Sequence, residues 1–307
     1  MPERSLKCPQ CNAPLAPSRF ARSLVCPFCG STVMIDEQGV PASRFRAAFL
    51  AWNAPATHGF SDWVSLGERH WAKGPLVARG EVSDVYAAAR ARLPTERALL
   101  KVLRDPRDVS GLDNEWEVLT RLRGTSSSAG FSERIPQPVA RGRITAGALE
   151  GSHAILYRWA DGFVHTFEDV RRVFPRGIEP RASIWIWRRI LEILSFLHGA
   201  GVTHGAVLPA HLLVQEGEHG VRLVGFRQAN GAGSPTADVV QSARCVADLL
   251  GDNPAIPGPL ADEIERASQL RTDGPDEAWA IRERLGKVAR EAFGPPAFCP
   301  LRMPRED

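Results

Sequence analysis

The sequence predicts an α+β chain: a two-lobed body, strands first and helices after, behind a small metal-stapled module. Three observations predict it. Residues 1–40 carry two C-x2-C pairs and few large apolar side chains. Residues 61–160 run in short segments that alternate apolar and polar residues. From about residue 165 to 300 the apolar period becomes helical. The expected divisions are therefore the module at 1–40, a linker at 41–60, a strand-rich lobe at 61–160, a helical lobe at 161–300 and a tail at 301–307.

The module comes first. Cys8, Cys11, Cys26 and Cys29 are spaced C-x2-C, fourteen residues, C-x2-C. Each pair forms a tight turn that brings two sulfurs to one place, and two such turns supply four thiolates, the closed tetrahedral shell of structural zinc. A redox pair would place one C-x2-C beside a βαβ unit instead. So short a segment cannot fold on an apolar core alone, so Zn²⁺ would supply its folding energy. This stretch, residues 6–36, resembles a zinc ribbon. Its only bases are Lys7, Arg19 and Arg22, a thin footprint for nucleic acid. The residues favour a structural or protein-docking role.

The linker "DEQGVPASRFRAAF" breaks the pattern with Gly39 and Pro41. Strands follow in "GPLVARGEVSDVYAAARARL" and "TERALLKVLRD", with a turn expected at Leu93–Pro94. "LDNEWEVLTRLRG" is an amphipathic helix with Leu112, Trp116, Leu119 and Leu122 on one face, stopped at Gly124. Two more strands are expected at 136–147 and 151–162. "ASIWIWRRILEILSFLHGAG" is apolar nearly all round, so its Trp185 and Trp187 read as core rather than as a stacking box for a ligand. Helices are expected at 236–251, 259–271 and 275–293, with a Pro-rich tail extended against the helical lobe or docked elsewhere.

Composition bounds the rest. With 307 residues, 44% hydrophobic and 24% charged, the chain can bury a sizeable core. A net charge of +3 does not point to a nucleic-acid partner. No apolar run approaches the roughly 18 residues of a membrane span, and the N-terminus has no secretory core, so no membrane partner is expected. Cys245 and Cys299 stand apart from the two pairs, a usage that suits a reducing compartment and hence the cytoplasm. Only Lys7, Lys73, Lys101 and Lys287 are lysines, so each one's placement is informative.

Several short motifs then fall in a fixed order. "ARGEVSDVY" has Ala78, Gly80 and Ser83 at the spacing G-x-G-x-x-G, ending on Val85. Sixteen residues later "ALLKVL" places Lys101, and "NEWEVL" places Glu115 on the helix behind it. "THGAVLPAHLLV" follows, then "VRLVGFRQA" nineteen residues beyond Ala206, then Asp238 in an apolar helix. The series resembles the protein-kinase family over residues 61–300. The resemblance implies that Lys101 and Glu115 form the pair that meets nucleotide phosphates, beneath a loop carrying Gly80 and Ser83.

The same resemblance exposes losses. In the pattern H-R-D-x-x-x-x-N, His204 matches. Gly205 replaces Arg, Ala206 replaces the catalytic Asp, and His211 replaces the metal-binding Asn. D-F-G reads Gly225-Phe226-Arg227, so the chief magnesium ligand is gone as well. Gly225 and Asp238 stand only thirteen positions apart, too few for a peptide-substrate platform. The scaffold positions His204, Pro209, Phe226 and Asp238 are kept. The pattern implies a pseudokinase: not an enzyme, but a scaffold or allosteric regulator of another protein. ATP or ADP at Lys101 is the weaker expectation, as are an atypical phosphotransferase and a nucleic-acid adaptor.

Overall fold

The computed structural model describes four short strands within residues 6–34, Phe60, and residues 62–304 except 92, 126–130, 132–133, 161, 217–219, 272–276 and 298. In the N-terminal region, β1 (Leu6–Lys7) pairs antiparallel with β2 (Pro14–Leu15), and β3 (Ser23–Val25) with β4 (Thr32–Met34). The four module cysteines lie outside the described residues. Their sequence positions are nonetheless bracketed alike: each pair takes the first and fourth places in a six-residue connection, 8–13 or 26–31, that joins two paired strands.

Seven strands form the main sheet. They are β5 (Asp62–Leu66), β6 (Arg69–Arg79), β7 (Ser83–Arg90), β8 (Leu93–Leu103), β9 (Pro138–Arg143), β10 (Ala146–Gly147) and β11 (His153–Arg158). Their order is β10-β5-β6-β7-β8-β11-β9, with antiparallel neighbours throughout. β7 ends at Arg90 and β8 begins at Leu93, so the chain reverses before the expected Leu93–Pro94. Leu93 already pairs with Arg90, next to a bulge at Ala89/Arg90. A strand accepts a proline beside such an irregularity.

The pleat of β8 divides its side chains between two cores. Ala98, Leu100 and Val102 join Val64, Leu66, Trp71, Ile144 and Leu156 on one face. Leu99 and Leu103 pack on the other, where helix α1 (Val109–Arg123) brings Leu112, Leu119 and Leu122. Period-2 alternation puts Lys101 on that second face, toward the helix. α1 buries Glu115 along with its leucines and ends at Gly124 as expected.

The remainder is mainly helical. A three-stranded sheet, β12 (Phe163–Thr166), β13 (Leu212–Gln215) and β14 (Gly220–Leu223), sits among α2 (Phe167–Val173), α3 (Pro180–Gly199), α4 (Pro235–Leu250), α5 (Gly258–Ser268) and α6 (Glu277–Phe293). Thr166 and Asp169 form a reciprocal capping box on α2. Ser234 caps α4, whose first position is Pro235. α3 is the hub: Ile186, Trp187, Ile190, Leu194 and Leu197 are fully buried. Trp185 and Trp187 are both buried, as expected, and the Trp187 ring N–H donates to Ser242 Oγ at 3.2 Å. Among the described residues no helix is long and apolar enough to cross a membrane.

Candidate functional site

The site lies where β8, α1 and the loop between α3 and β13 converge. Lys101 Nζ donates to Glu115 Oε2 at 2.5 Å. The other carboxylate oxygen accepts from the Tyr157 hydroxyl at 2.7 Å. Glu115 is buried while Lys101 keeps a small exposed edge. A buried carboxylate needs both partners to satisfy its lone pairs. Burial, reinforced by the Glu115 charge, pushes the Tyr157 hydroxyl well above its ordinary value of 10, so it stays a donor. Thus the sequence-predicted pair forms.

The glycine-rich turn is tighter than a phosphate cradle. Gly80 N–H donates to Ser83 O at 2.8 Å, which closes the turn on itself. Arg104 then reaches across it. Its guanidinium donates to Gly80 O at 2.7 Å, Ser83 O at 3.2 Å, Glu81 O and the Asp84 carboxylate at 2.6 Å. A phosphate loop presents backbone N–H groups to an anion. Here carbonyl oxygens are gathered around a cation, which is the opposite polarity.

The loop at 203–211 is held from α4. The carboxylate of Asp238, wholly buried, accepts His204 N–H at 2.7 Å and Gly205 N–H at 2.8 Å, and meets His198 Nε2 at 3.0 Å. Gln241 Oε1 accepts Val207 N–H at 2.7 Å. His204 is itself fully buried. Its Nε2–H donates to Val224 O at 3.1 Å while Nδ1 faces Ala206 N–H, one consistent tautomer. Its ring meets Phe226 edge-on at 4.7 Å. Burial lowers His204 to about 4, against the pull of the Asp238 charge, so the ring is neutral.

Ala206, His211 and Gly225 are brought together. His211 Nδ1 lies 2.8 Å from Ala206 O, and Val224 N–H donates to His211 O at 2.9 Å. Gly225 is left-handed, with φ of 84°. A Cβ built there would lie 2.8 Å from His211 Cδ2 and Nε2. The imidazole therefore fills the space beside position 225 where a side chain would stand. Ala206 is buried and offers only a methyl group. None of the three positions carries a carboxylate or an amide.

The segment after Gly225 folds back onto the loop. Gly205 is also left-handed, φ 75°, and a Cβ there would lie 2.9 Å from Gln228 O. Asn230 N–H donates to Thr203 O at 2.9 Å, and Thr203 N–H returns to Asn230 Oδ1 at 3.1 Å. The same segment is fastened to α1. Asn114 Nδ2 donates to Arg227 O at 3.1 Å and Ala229 O at 2.9 Å. Arg227 reaches Asp108 at 3.0 Å, and its aliphatic stem lies over Gly111, where a Cβ would stand 2.6 Å from Arg227 Cγ.

Sequence reasoning identified Lys101, Glu115, Gly80, Ser83 and the 204–238 frame, but not Arg104, Asn114 or Tyr157. For Tyr157 a signal existed: it is one of two tyrosines in the chain and sits in an apolar strand, where a buried hydroxyl requires a partner. Cys245 is a core residue, its thiol pushed up to about 12 by burial. Among the described residues no group of three His, Cys, Asp or Glu side chains could hold a metal.

Neither a protein-family model nor a curated protein matches the sequence. Solved structures do match the fold. Vaccinia related kinase 3 superposes with a TM-score of 0.57 at 13% identity, covering 82% of this chain and 98% of its own. The BubR1 kinase domain gives 0.54 at 11% identity, with 78% and 89% covered. A point mutant of the Mycobacterium tuberculosis PknI kinase domain gives 0.53 at 15% identity, with 71% and 95% covered. The chain has a kinase-like fold.

Proposed function

We propose that this kinase-like chain is a pseudokinase: it transfers no phosphate and serves as a scaffold or allosteric regulator of another protein. One observation carries the reading. The three positions that would supply the base and the metal ligands hold Ala206, His211 and Gly225, and the His211 ring fills the room a ligand at 225 would need. Phosphoryl transfer rests on positioning and on metal charge over the β- and γ-oxygens. General-base help alone is worth about 10²–10⁴-fold, and a methyl group at position 206 gives none. The short 225–238 segment, spent on the loop and on α1, leaves no platform for a peptide substrate.

A second reading keeps a nucleotide without catalysis. The Lys101–Glu115 pair favours it, since such a lysine can meet α- and β-phosphates. The Arg104 staple opposes it by turning the Gly80–Ser83 carbonyls toward a cation. The pair is equally well explained as a strut between β8 and α1.

The N-terminal module fits structural zinc by its donor set. Cys8, Cys11, Cys26 and Cys29 would hold the ion, and metal–thiolate bonds would supply the folding free energy the short strands lack. Its partner is then a protein rather than nucleic acid, and the free thiols Cys245 and Cys299 fit a cytoplasmic setting.

The test is transfer of labelled phosphate from ATP, with Mg²⁺ or Mn²⁺, to the chain itself or to generic acceptors. No transfer above a boiled control is expected. Transfer that persists through purification and vanishes in Lys101→Ala would overturn the reading. Calorimetric titration with ATP separates the second reading: saturable binding lost in Lys101→Ala supports it, and a flat response removes it.

A further inference from the structure

A cleft of about 420 Å³ lies in the helical half, away from the site above. Two helix stripes face each other across it. α3 contributes Arg181, Ile184, Trp185 and Arg188, at i, i+3, i+4 and i+7. α6 contributes Arg282, Gly286, Lys287, Arg290 and Phe293 along one side. The chain after α6, residues 294–297, runs back as a wall containing Pro295 and Pro296. So Trp185 and the Pro-rich tail, which the kinase-like site leaves unused, meet in one place.

Charge accumulates there. The lining holds five cations, Arg181, Arg188, Arg282, Lys287 and Arg290, and one acid, Glu283. The whole chain carries only +3. Arg282 donates to Glu192, but that carboxylate already serves Arg134 at 2.7 Å and Arg189 at 2.8 Å. Arg181 is placed by Phe293, donating to its carbonyl at 3.3 Å.

Lys287 and Arg290 have no side-chain partner among the described residues. Glu283 stands four residues before Lys287, the favoured spacing for a helical ion pair, yet no such pair forms. Gly286 sits between them in the helix. A Cβ there would meet nothing within 4 Å. A mid-helix glycine is destabilising relative to alanine, and packing does not require this one. Its effect is to keep the cleft wide beside the two unpaired cations.

We propose that this cleft binds a small phosphorylated molecule, its phosphate on Lys287 and Arg290 and its apolar or planar body along Trp185 and Ile184. The size suits a small ligand, for which pockets run about 300–1,000 Å³. Arginine forks and a lysine point charge match a phosphate dianion better than a single carboxylate. A recessed cleft walled by a proline pair does not suit a duplex or a flat membrane.

The experiment uses the full chain with AMP and ribose 5-phosphate as probes, adenosine as the uncharged control, read by calorimetry and thermal shift. Either phosphate should bind saturably and raise the melting temperature, and adenosine should not. Lys287→Glu with Arg290→Glu should weaken binding by about tenfold or more, with the milder Lys287→Ala/Arg290→Ala pair as a check that the loss is not misfolding. No saturable response to either probe, or equal binding in the double variants, would each overturn the proposal. So would binding confined to phosphatidic acid vesicles or to a phosphopeptide.

Discussion

His211 and Gly225 occupy one volume: a Cβ added to the glycine would lie 2.8 Å from the imidazole's Cδ2 and Nε2. The two residues are therefore a sterically matched pair. Gly225→Asp alone, which introduces a carboxylate, is expected to destabilise. The left-handed backbone costs a side chain about 1–2 kcal/mol before any crowding. Adding His211→Ala should return part of the loss. A urea-unfolding double-mutant cycle should give a favourable coupling of about 0.5–3 kcal/mol. Strict additivity would show that the ring is not the obstacle.

The Lys101–Glu115 pair gives an asymmetric expectation. Lys101→Met leaves a buried carboxylate with only Tyr157, and breaking such a pair from one side costs about 3–5 kcal/mol. Lys101→Met with Glu115→Gln should be more stable than Lys101→Met alone, because the amide oxygen still accepts from Tyr157 and no charge is stranded. Chemical denaturation decides it. A double variant less stable than the single would mean the carboxylate is satisfied elsewhere.

Asp238 fixes the loop by its backbone. Asp238→Ala removes the acceptor for two backbone N–H groups, at His204 and Gly205, and the partner of His198. A loss of about 3–5 kcal/mol is expected, with faster amide exchange at His204 and Gly205. Unchanged exchange at those two amides would contradict the bracing role.

Acid should weaken the fold in a defined window. His204 has an ordinary value of 6.5 and a folded value of about 4. Above 6.5 neither state is protonated and stability is complete. Between 6.5 and 4 only the unfolded ring takes a proton, so stability falls as pH falls, by up to about 3 kcal/mol. Glu192 is held at about 2: burial alone would raise it, but the Arg189 and Arg134 charges prevail, so its contribution is lost below 4.5. His204→Gln should flatten the upper window and leave the lower one.

For the N-terminal module, elemental analysis should find about one zinc per chain, and Cys8→Ser with Cys26→Ser should abolish it. A metal-free purified chain whose module stays folded would exclude the zinc reading.

Much of the frame was legible because it rests on local pattern. Lys101 was named from the order of the kinase-like motifs and from the rarity of lysine, while the face of β8 that it occupies came from the structure. Glu115 was named from the kinase resemblance, and its burial among the leucines of α1 is what the structure adds. What escaped depends on distant backbone atoms. Arg104 serves carbonyls at Gly80 and Ser83, and Asn114 serves carbonyls beyond Gly225. A carbonyl has no residue type, so no spacing in the sequence announces its partner. The turn before β8 escaped for a different reason: Ala87, Ala88 and Ala89 carry too little contrast to mark where one strand ends.

Asn114 and Arg227 join α1 and its cap Asp108 to the segment after Gly225 by three hydrogen bonds, with the Arg227 stem laid over Gly111. In active kinases, control acts through the positions of the corresponding helix and segment. Here the two are tied to each other. On the pseudokinase reading proposed above, such a tie would hold α1 and the segment in one arrangement for a partner to meet, and control would then fall on the amount of the protein made and degraded.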